Sequence, residues 1–422
     1  MKKQLIIRID NKGEAVAVLE NNQLAEVYLP AKDDARLIGN IYLGRVDNVL
    51  PGMQAAFVDI GLEKNSFLYV EDAMSQQTPA YAANEEAPRK RNINELVKKD
   101  QQLIAQIFKE PSGSKGARIT MYPSLPGRYL VLLPCGDYIA VSRRIEDEED
   151  RERLKDLIRG ELPDNMGVII RTVARDADKQ ALIADLKQLI KMWRRIQGRS
   201  AKAVAPEILH QDLDLLSRVI RDANQDEVEK IIVSNQDVFE HVEELIEDIA
   251  PELKSALHIK ECADTFLEFD IYNQLERALR RKVWLESGGY IIIDQVEALT
   301  VVDVNTGKYV GESNLNDTVY KTNLEAVQEI VRQLRLRNIG GIVIIDFIDM
   351  DDEECRVNLL KALEEETKKD RVRITIMGMT HLGLVELTRK KIGHDLSYQI
   401  EKECPSCGGK GRISQLQRKK PV

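Results

Sequence analysis

Three apolar runs in the last third of this chain each close on an acid: "YIIIDQ" (Tyr290–Gln295), "LTVVDVNTG" (Leu299–Gly307) and "GIVIIDFIDM" (Gly341–Met350). Continuous runs rich in Ile and Val read as strands with little contact with water. Helix-period segments lie around them. One spans Asn273–Leu285 ("NQLERALRRKVWL"), a long one Asp317–Arg337, and a third Glu353–Lys369, which leads to "RVRITIMGM" (Arg371–Met379). Strand, helix, strand, helix, strand in this order predicts an α/β sheet with parallel neighbours, covered on both faces.

That sheet tells where chemistry would sit. Ligands of open α/β sheets bind at the carboxyl ends of the strands. Parallel neighbours would bring Asp303 and Asp346 together there. Two carboxylates in an apolar setting repel one another unless a cation lies between them. A hard divalent ion such as Mg²⁺ suits one or two carboxylates plus substrate phosphate oxygens. Asn305 lies on the strand face of Asp303, two residues on, and can orient the phosphate or a water. Asp294 closes the third run, and either aspartate can instead cap a following helix, so pattern alone does not separate these readings. Other chemistries lack their residues. No GxxxxGK[ST] loop and no HExxH is present, and the five histidines are scattered. Metal-assisted phosphate chemistry is the enzymatic reading that remains.

At 422 residues the chain exceeds a single core. With 43% apolar and 31% charged residues it has the composition of globular domains. "MKKQLIIRID" is too short an apolar run for a signal peptide, and no membrane span is expected, so the cytoplasm is the expected compartment. The net charge of −9 argues against whole-surface binding of nucleic acid, but basic clusters such as "RALRRK" and "RQLRLRN" allow a local basic groove.

The first 30 residues alternate in three short runs broken by "DNKG" and "ENNQ", a small antiparallel meander. From Gly39 the texture becomes that of a Gly-kinked barrel, interrupted by a polar loop at Ser75–Asn92. In it Phe57 and Phe67 flank the turn around Gly61 and can offer stacking platforms to unpaired bases, unless both are core. Lys115 can meet a phosphate. Further strands ("YLVLLP", "YIAVS", "MGVIIRTVA") alternate with helices at Glu146–Arg159 and Asp176–Gln197, and Gly198–Pro206 reads as a linker.

Cys404 and Cys407, in "CPSCGGKG", are spaced as half of a zinc site. Cys135, Cys262 and Cys355 are scattered singletons.

"GNIYLGRVDNVLPGMQAAFVDIGLEKNSFL", "RQLRLRNIGGIVIIDFIDM" and "CPSCGGKG" together resemble the bacterial ribonuclease E/G family over residues 1–414. The resemblance implies a multidomain α+β and α/β chain. Its parts would be an RNase H-like domain (1–38 and 218–278), an inserted OB-fold RNA-binding barrel (39–118), a 5′-sensor region (119–217), a DNase-I-like α/β catalytic domain (279–400), a zinc link (401–414) and a tail (415–422). It places Asp303 and Asp346 on the catalytic, Mg²⁺-binding aspartates, with Asn305 beside them, and gives Asp294 no role. Phe57, Phe67 and Lys115 fall on RNA-gripping positions. Gly127, Val131, Arg171 and Thr172 fall on a pocket for a 5′-monophosphate, with Arg143, Arg144 and Arg373 as further candidates. The implied activity is Mg²⁺-dependent hydrolysis of single-stranded RNA in RNA processing and mRNA decay, leaving 5′-phosphate and 3′-hydroxyl ends. A non-catalytic RNA-binding protein and a nuclease for single-stranded DNA are the alternatives. The resemblance also implies a homodimer, since Cys404 and Cys407 of two chains supply four thiolates to one Zn²⁺. Longer members carry a further small domain that pairs dimers into tetramers. This chain stops at Val422, so that tetramer is not carried over.

Overall fold

A computed structural model describes residues 2–30, 37–74, 92–111, 115–307, 315–402, 404–407, 409 and 411. The chain forms two compact units. One comprises Met1–Lys32, Glu229–Val238 and His258–Val422, and the other Asp33–Val228 and Phe239–Leu257. The Ser75–Asn92 loop (all but its last residue) and the 415–422 tail lie outside the described residues.

In the first unit, the strands Lys3–Asp10, Gly13–Glu20 and Gln23–Tyr28 form the expected meander. Asn21 and Asn22 turn its second corner with φ of 52° and 64°, the left-handed pair that a tight hairpin demands and that Asn tolerates. The strands Val228–Val233 and Leu257–Ile259 extend this sheet to five. Its apolar face, with Ile6, Ala17, Leu19 and Leu24, packs with Phe266, Ile271, Leu275 and Leu336.

A second, six-stranded sheet runs in the order Lys282–Trp284, Tyr290–Gln295, Leu299–Asn305, Gly341–Asp346, Leu384–Arg389, Ile374–Met379. It corrects the sequence reading three times. The sheet is mixed: Leu299–Asn305 and Gly341–Asp346 pair parallel, but their outer neighbours are antiparallel, including a strand at Leu384–Arg389 that the sequence reading passed over. The Asn273–Leu285 segment is not one helix. Helix Ile271–Ala278 ends, and Lys282–Trp284 becomes the edge strand, because pairing with Tyr290–Gln295 outweighs the helix preference of the Arg/Leu run. Finally, the sheet is covered on one face alone among the described residues. Ile291, Ile293, Val302, Val304, Val343, Ile345, Val385 and Leu387 pack under the helices Leu315–Leu336 and Glu353–Thr367. On the other face Val301 and Ile342 stay 38% and 48% exposed. The apolar residues that suggested double burial are β-branched side chains on an open face.

The helix Leu315–Leu336 also reaches the first sheet. Arg335, buried, donates to Glu20 Oε1 at 2.6 Å and Oε2 at 3.0 Å, and to Glu26 Oε1 at 2.8 Å. Arg332 donates to the Leu24 carbonyl at 2.6 Å.

In the second unit, Ile41–Leu50, Ala55–Asp59, Ser66–Tyr69, Arg118–Thr120 and Gln102–Lys109 pair in that order, and Gln102–Lys109 pairs back to Ile41–Leu50. This is a closed five-stranded, OB-like barrel. Gly44 lies where the wall turns inward: a Cβ there would stand 2.7 Å from Val58 Cγ1 and 2.9 Å from Ile60 Cγ2. A four-stranded sheet (Ile139–Val141, Gly167–Ile170, Leu130–Leu133, Leu125–Pro126) follows, with helices Glu148–Arg159 and Lys179–Ser200. Asp147 and Asp178 cap these helices, the first accepting from the Glu149 and Asp150 N–H groups and the second from that of Ala181. The second helix absorbs the start of the expected Gly198–Pro206 linker.

Burial alone would push the Glu26 carboxyl up, but Arg371, Arg335 and the Tyr28 hydroxyl overcome it and hold the group at about 2. The folded value lies below the ordinary 4.5, so this stabilisation is whole above about pH 4.5 and disappears as the pH falls toward 2. Glu26→Gln is expected to cost about 3 kcal/mol at pH 7. Urea unfolding followed by circular dichroism should show the gap to the parent narrowing at pH 3.

Candidate active site

The parallel pair of strands decides the geometry. Leu299 pairs with Ile342 and, four steps on, Asp303 pairs with Asp346. Side chains opposite one another in a ladder project to the same face. Both carboxylates therefore stand on the uncovered face, at the carboxyl end of the parallel pair. Burial and then the charges of Asp303 and Asp349 raise the Asp346 carboxyl above its usual range. Asn305 shares that face, and its Nδ2 donates to Asp303 Oδ2 at 2.8 Å. Asp294 stands on the same face, one strand over, but is already engaged by a cation. Its strand runs antiparallel, so it pairs with Val301 at the other end of the ladder, where Arg281 Nη2 binds it at 2.5 Å.

The backbone around these groups is tightly constrained. Gly307 has φ of 62°, and a Cβ there would stand 2.4 Å from the Gly288 carbonyl. Beyond Asp346 the chain is held by Asn323, a fully buried side chain of the long helix. It accepts from Ile348 N at 3.1 Å and donates to Ile348 O at 2.8 Å. A cavity of about 480 Å³ opens there, between Phe347–Met350 and the turn Thr380–Gly383, which adjoins Leu384, the register partner of Asp346. Asp349 stands at its rim, exposed. The sequence reading missed Asp349 and Asn323. A third acid three residues after Asp346 was a visible signal, whereas nothing marked an asparagine in mid-helix.

On the barrel, Phe57 and Phe67 are register partners with ring centroids 5.9 Å apart and planes at 72°. Ala56, Val58 and Leu68 fill the interior, so both Phe rings lie on the outer wall, half-exposed. Tyr69 stacks on Phe67 at 6.4 Å, and the Arg118 guanidinium lies 5.7 Å from Tyr69 and 5.1 Å from Phe108. These three extend the aromatic face beyond what the sequence reading named. Lys115 is exposed beside Gly116, whose close approach to the Asn65 carbonyl admits no Cβ.

An acidic pair on an open sheet face and an aromatic barrel wall are equipment for a phosphate-bearing, unstacked polymer. Comparison with known proteins agrees. The profile of the Ribonuclease E/G family matches residues 124–392. Ribonuclease G of Escherichia coli (strain K12) is 42% identical over 418 residues, 99% of this chain and 86% of the relative. Ribonuclease G of Haemophilus influenzae is 40% identical over 98% of this chain and 84% of the relative. Ribonuclease E of Synechocystis is 40% identical over 99% of this chain and 61% of the relative.

The chain belongs to the ribonuclease E/G family. It is therefore an endoribonuclease, a hydrolase of RNA, and the expectation drawn from its motifs holds at that level. Among the described residues of this ribonuclease E/G member, no helix is long and apolar enough to cross a membrane.

Gly127, Val131, Arg171 and Thr172 come together at one corner of the four-stranded sheet. Arg171 Nη1 donates to the Gly127 carbonyl at 2.7 Å and Nη2 to Asp222 at 2.6 Å. Burial works against the Asp222 carboxylate, but Arg171 and Arg221 hold it at about 2. Thr172 Oγ1 lies 2.9 Å from Ser142 Oγ. Val131 pairs with Ile169 and Pro126. Gly127 packs on Asp185, which accepts the backbone N–H groups of Arg128, Tyr129 and Leu130. Arg143 and Arg144 are exposed in the following segment, and Arg373 belongs to the other unit.

Cys404 and Cys407 are both free thiols. Backbone N–H groups of Cys407 and Ser406 lower the Cys404 thiol below its usual range, favouring the thiolate that a metal takes. No group of three or more His, Cys, Asp or Glu able to hold a metal ion occurs among the described residues.

Asn323→Ala removes both partners of the Ile348 backbone. It is expected to destabilise the chain by about 1–3 kcal/mol. It should also slow RNA cleavage, because the segment following Asp346 loses its anchor. Thermal unfolding and a cleavage assay on one RNA substrate check the two effects.

Proposed function

We propose that this endoribonuclease cuts single-stranded RNA by Mg²⁺-dependent hydrolysis, leaving 5′-phosphate and 3′-hydroxyl ends, in RNA processing and mRNA decay. The observation that carries this reading is the register that sets Asp303 opposite Asp346 on an uncovered sheet face. The donor set suits Mg²⁺. It offers hard oxygen ligands from two facing carboxylates, and Asp346, raised by burial and then by the Asp303 and Asp349 charges, sits in a repulsion that a cation would relieve. When bound, that ion supplies Lewis-acid activation of the phosphate and of water. Asp303 and Asp346 would hold it. Asn305 keeps the Asp303 carboxylate oriented through its 2.8 Å hydrogen bond. The open face admits a polymer.

Phe57 and Phe67 would stack unpaired bases, with Lys115 taking a phosphate, which favours single strands over duplex. Gly127, Val131, Arg171 and Thr172 would bind a 5′-monophosphate. Asp222 fixes the Arg171 guanidinium at 2.6 Å, while Arg171 Nε makes no hydrogen bond among the described residues and is left to meet an anion. In this reading residues 1–38 with 218–278 form an RNase H-like domain, 39–118 an OB-fold, 119–217 the 5′ sensor and 279–400 a DNase-I-like domain. Cys404 and Cys407 would join two chains through one shared Zn²⁺.

Asp303→Asn and Asp346→Asn should each lower Mg²⁺-dependent cleavage by more than about 100-fold while RNA binding, measured by filter retention, is kept. Undiminished cleavage by both variants excludes the assignment. The same assay run with single-stranded DNA separates the two nucleic acids. Replacing a 5′-monophosphate by a 5′-triphosphate should slow cleavage by the parent, and Arg171→Ala should abolish that preference.

For the cysteine pair, zinc analysis should give about one ion per two chains. The double variant Cys404→Ser, Cys407→Ser should then sediment as a monomer. A metal-free dimer that survives chelation would overturn the shared site.

A further inference from the structure

The chain has two tryptophans, and they are placed oppositely. Trp193 is 5% exposed within the helix-lined core of its unit, whereas Trp284 is 60% exposed. Trp284 lies on the edge strand Lys282–Trp284 of the catalytic sheet. Its ring meets Tyr290 edge-on, with centroids 5.4 Å apart and planes at 66°. Lys282 Nζ lies 3.9 Å from the Trp284 ring centre and 3.5 Å from that of Tyr290. Lys282 makes no ion pair among the described residues, so its ammonium is steered by two π faces and remains available to an anion.

The ladder ties this cluster to the acids. Trp284 pairs with Tyr290 and Tyr290 with Asn305, while Lys282 pairs with Ile292, Ile292 with Asp303 and Asp303 with Asp346. Residues opposite one another share a face, so Lys282, Trp284 and Tyr290 rise from the same uncovered face as Asp303, Asn305 and Asp346. At about 4.8 Å per strand, Lys282 stands roughly 10 Å along the sheet from Asp303. A strand of RNA whose phosphate lies over the acid pair has its next nucleotide within that reach. What the cluster offers is what a nucleotide needs: an exposed indole for the base and an ammonium for the phosphate.

We propose that Lys282, Trp284 and Tyr290 form a nucleotide subsite beside the acid pair, where Trp284 stacks on the base flanking the scissile phosphate and Lys282 pairs with a backbone phosphate. Tyr290 is a positioning residue that fixes the angle of the indole and the ammonium. This rests on the reading of Asp303 and Asp346 as the catalytic pair. Steric access also fits: the subsite is at the sheet edge, where no further strand of the described residues pairs with Lys282–Trp284.

The experiment uses the full chain, a single-stranded RNA oligonucleotide and a chelator that blocks cleavage. Tryptophan emission is titrated for the parent and for Trp284→Phe. RNA should quench the parent, and the quench should vanish in Trp284→Phe, where the buried Trp193 alone emits. With Mg²⁺ restored, Trp284→Leu should raise KM roughly 10-fold with kcat little changed, and Trp284→Phe should recover most of the loss, since a phenyl ring still stacks. Substrates with one abasic residue should place the contact: the parent loses affinity when the base is missing at one position next to the cut, and Trp284→Leu is indifferent there. An unquenched parent that still cleaves, or a KM unchanged in Trp284→Leu, overturns the subsite and leaves the nuclease reading standing. An emission change that follows protein concentration rather than RNA also overturns it, marking the patch as a contact between chains. If the parent binds RNA but Asp303→Asn cleaves as fast as the parent, the underlying reading of the acid pair fails instead.

Discussion

The cleavage chemistry proposed for this ribonuclease depends on one pairing register. Leu299–Asn305 and Gly341–Asp346 run parallel, and their hydrogen bonds place Asp303 directly across from Asp346. The side-chain period of a strand is two, so a slip of one residue would turn one carboxylate into the core and leave the other alone. The register is protected by burial on the opposite face: Val302, Val304, Val343 and Ile345 are nearly inaccessible, and the strand that slipped would expose its own pair of them. The hydrophobic side of the sheet thus sets the position of the polar side. Repulsion between the acids is tolerated because the rest of the ladder outweighs it.

The long helix Leu315–Leu336 carries that constraint outward. Its apolar side, with Ala326, Val327, Ile330, Val331 and Leu334, closes the six-stranded sheet. Asn323 fastens the segment after Asp346, and Arg335 is buried between Glu20 and Glu26 of the N-terminal meander. A buried arginine with two carboxylate partners is costly to desolvate, and it specifies a position more than it adds stability. One helix therefore locates both the loop of the site and the sheet beside it.

Two aromatic surfaces, each within its own unit, share a physical logic. On the barrel, Phe57, Phe67 and Tyr69 form a wall with Arg118 laid over Tyr69; on the six-stranded sheet, Trp284 and Tyr290 hold Lys282. Aromatics are scarce in this chain at 5%, yet both clusters stand at solvent on outward strand faces. Stacking against a ring is sequence-tolerant, because every base has a π face, and a cation beside it adds affinity for the backbone. That combination is what the proposed grip on single-stranded RNA would use.

Apolar strands ending in acids, the Asn turn of the meander, the glycines of the barrel and the cysteine pair were all legible in the amino-acid sequence, because each is a local rule of backbone conformation or side-chain period. So was family membership, which rests on long motifs in order. The sequence by itself determined that Asp303, Asn305 and Asp346 end strands. The family motifs gave Asp294 no role, and the tertiary structure decided how it is engaged: antiparallel pairing sets it opposite Val301, where Arg281 binds it, and strand direction is a property of the pairing and not of the run. It also decided that one face of the sheet is open. Ile and Val look the same in a segment buried once or twice, and exposure depends on which helices return to cover it. Trp284 was hidden for the same reason: its local sequence favours a helix, and it becomes a surface residue beside the site only when hydrogen bonding to Tyr290–Gln295 makes it the sheet's last strand.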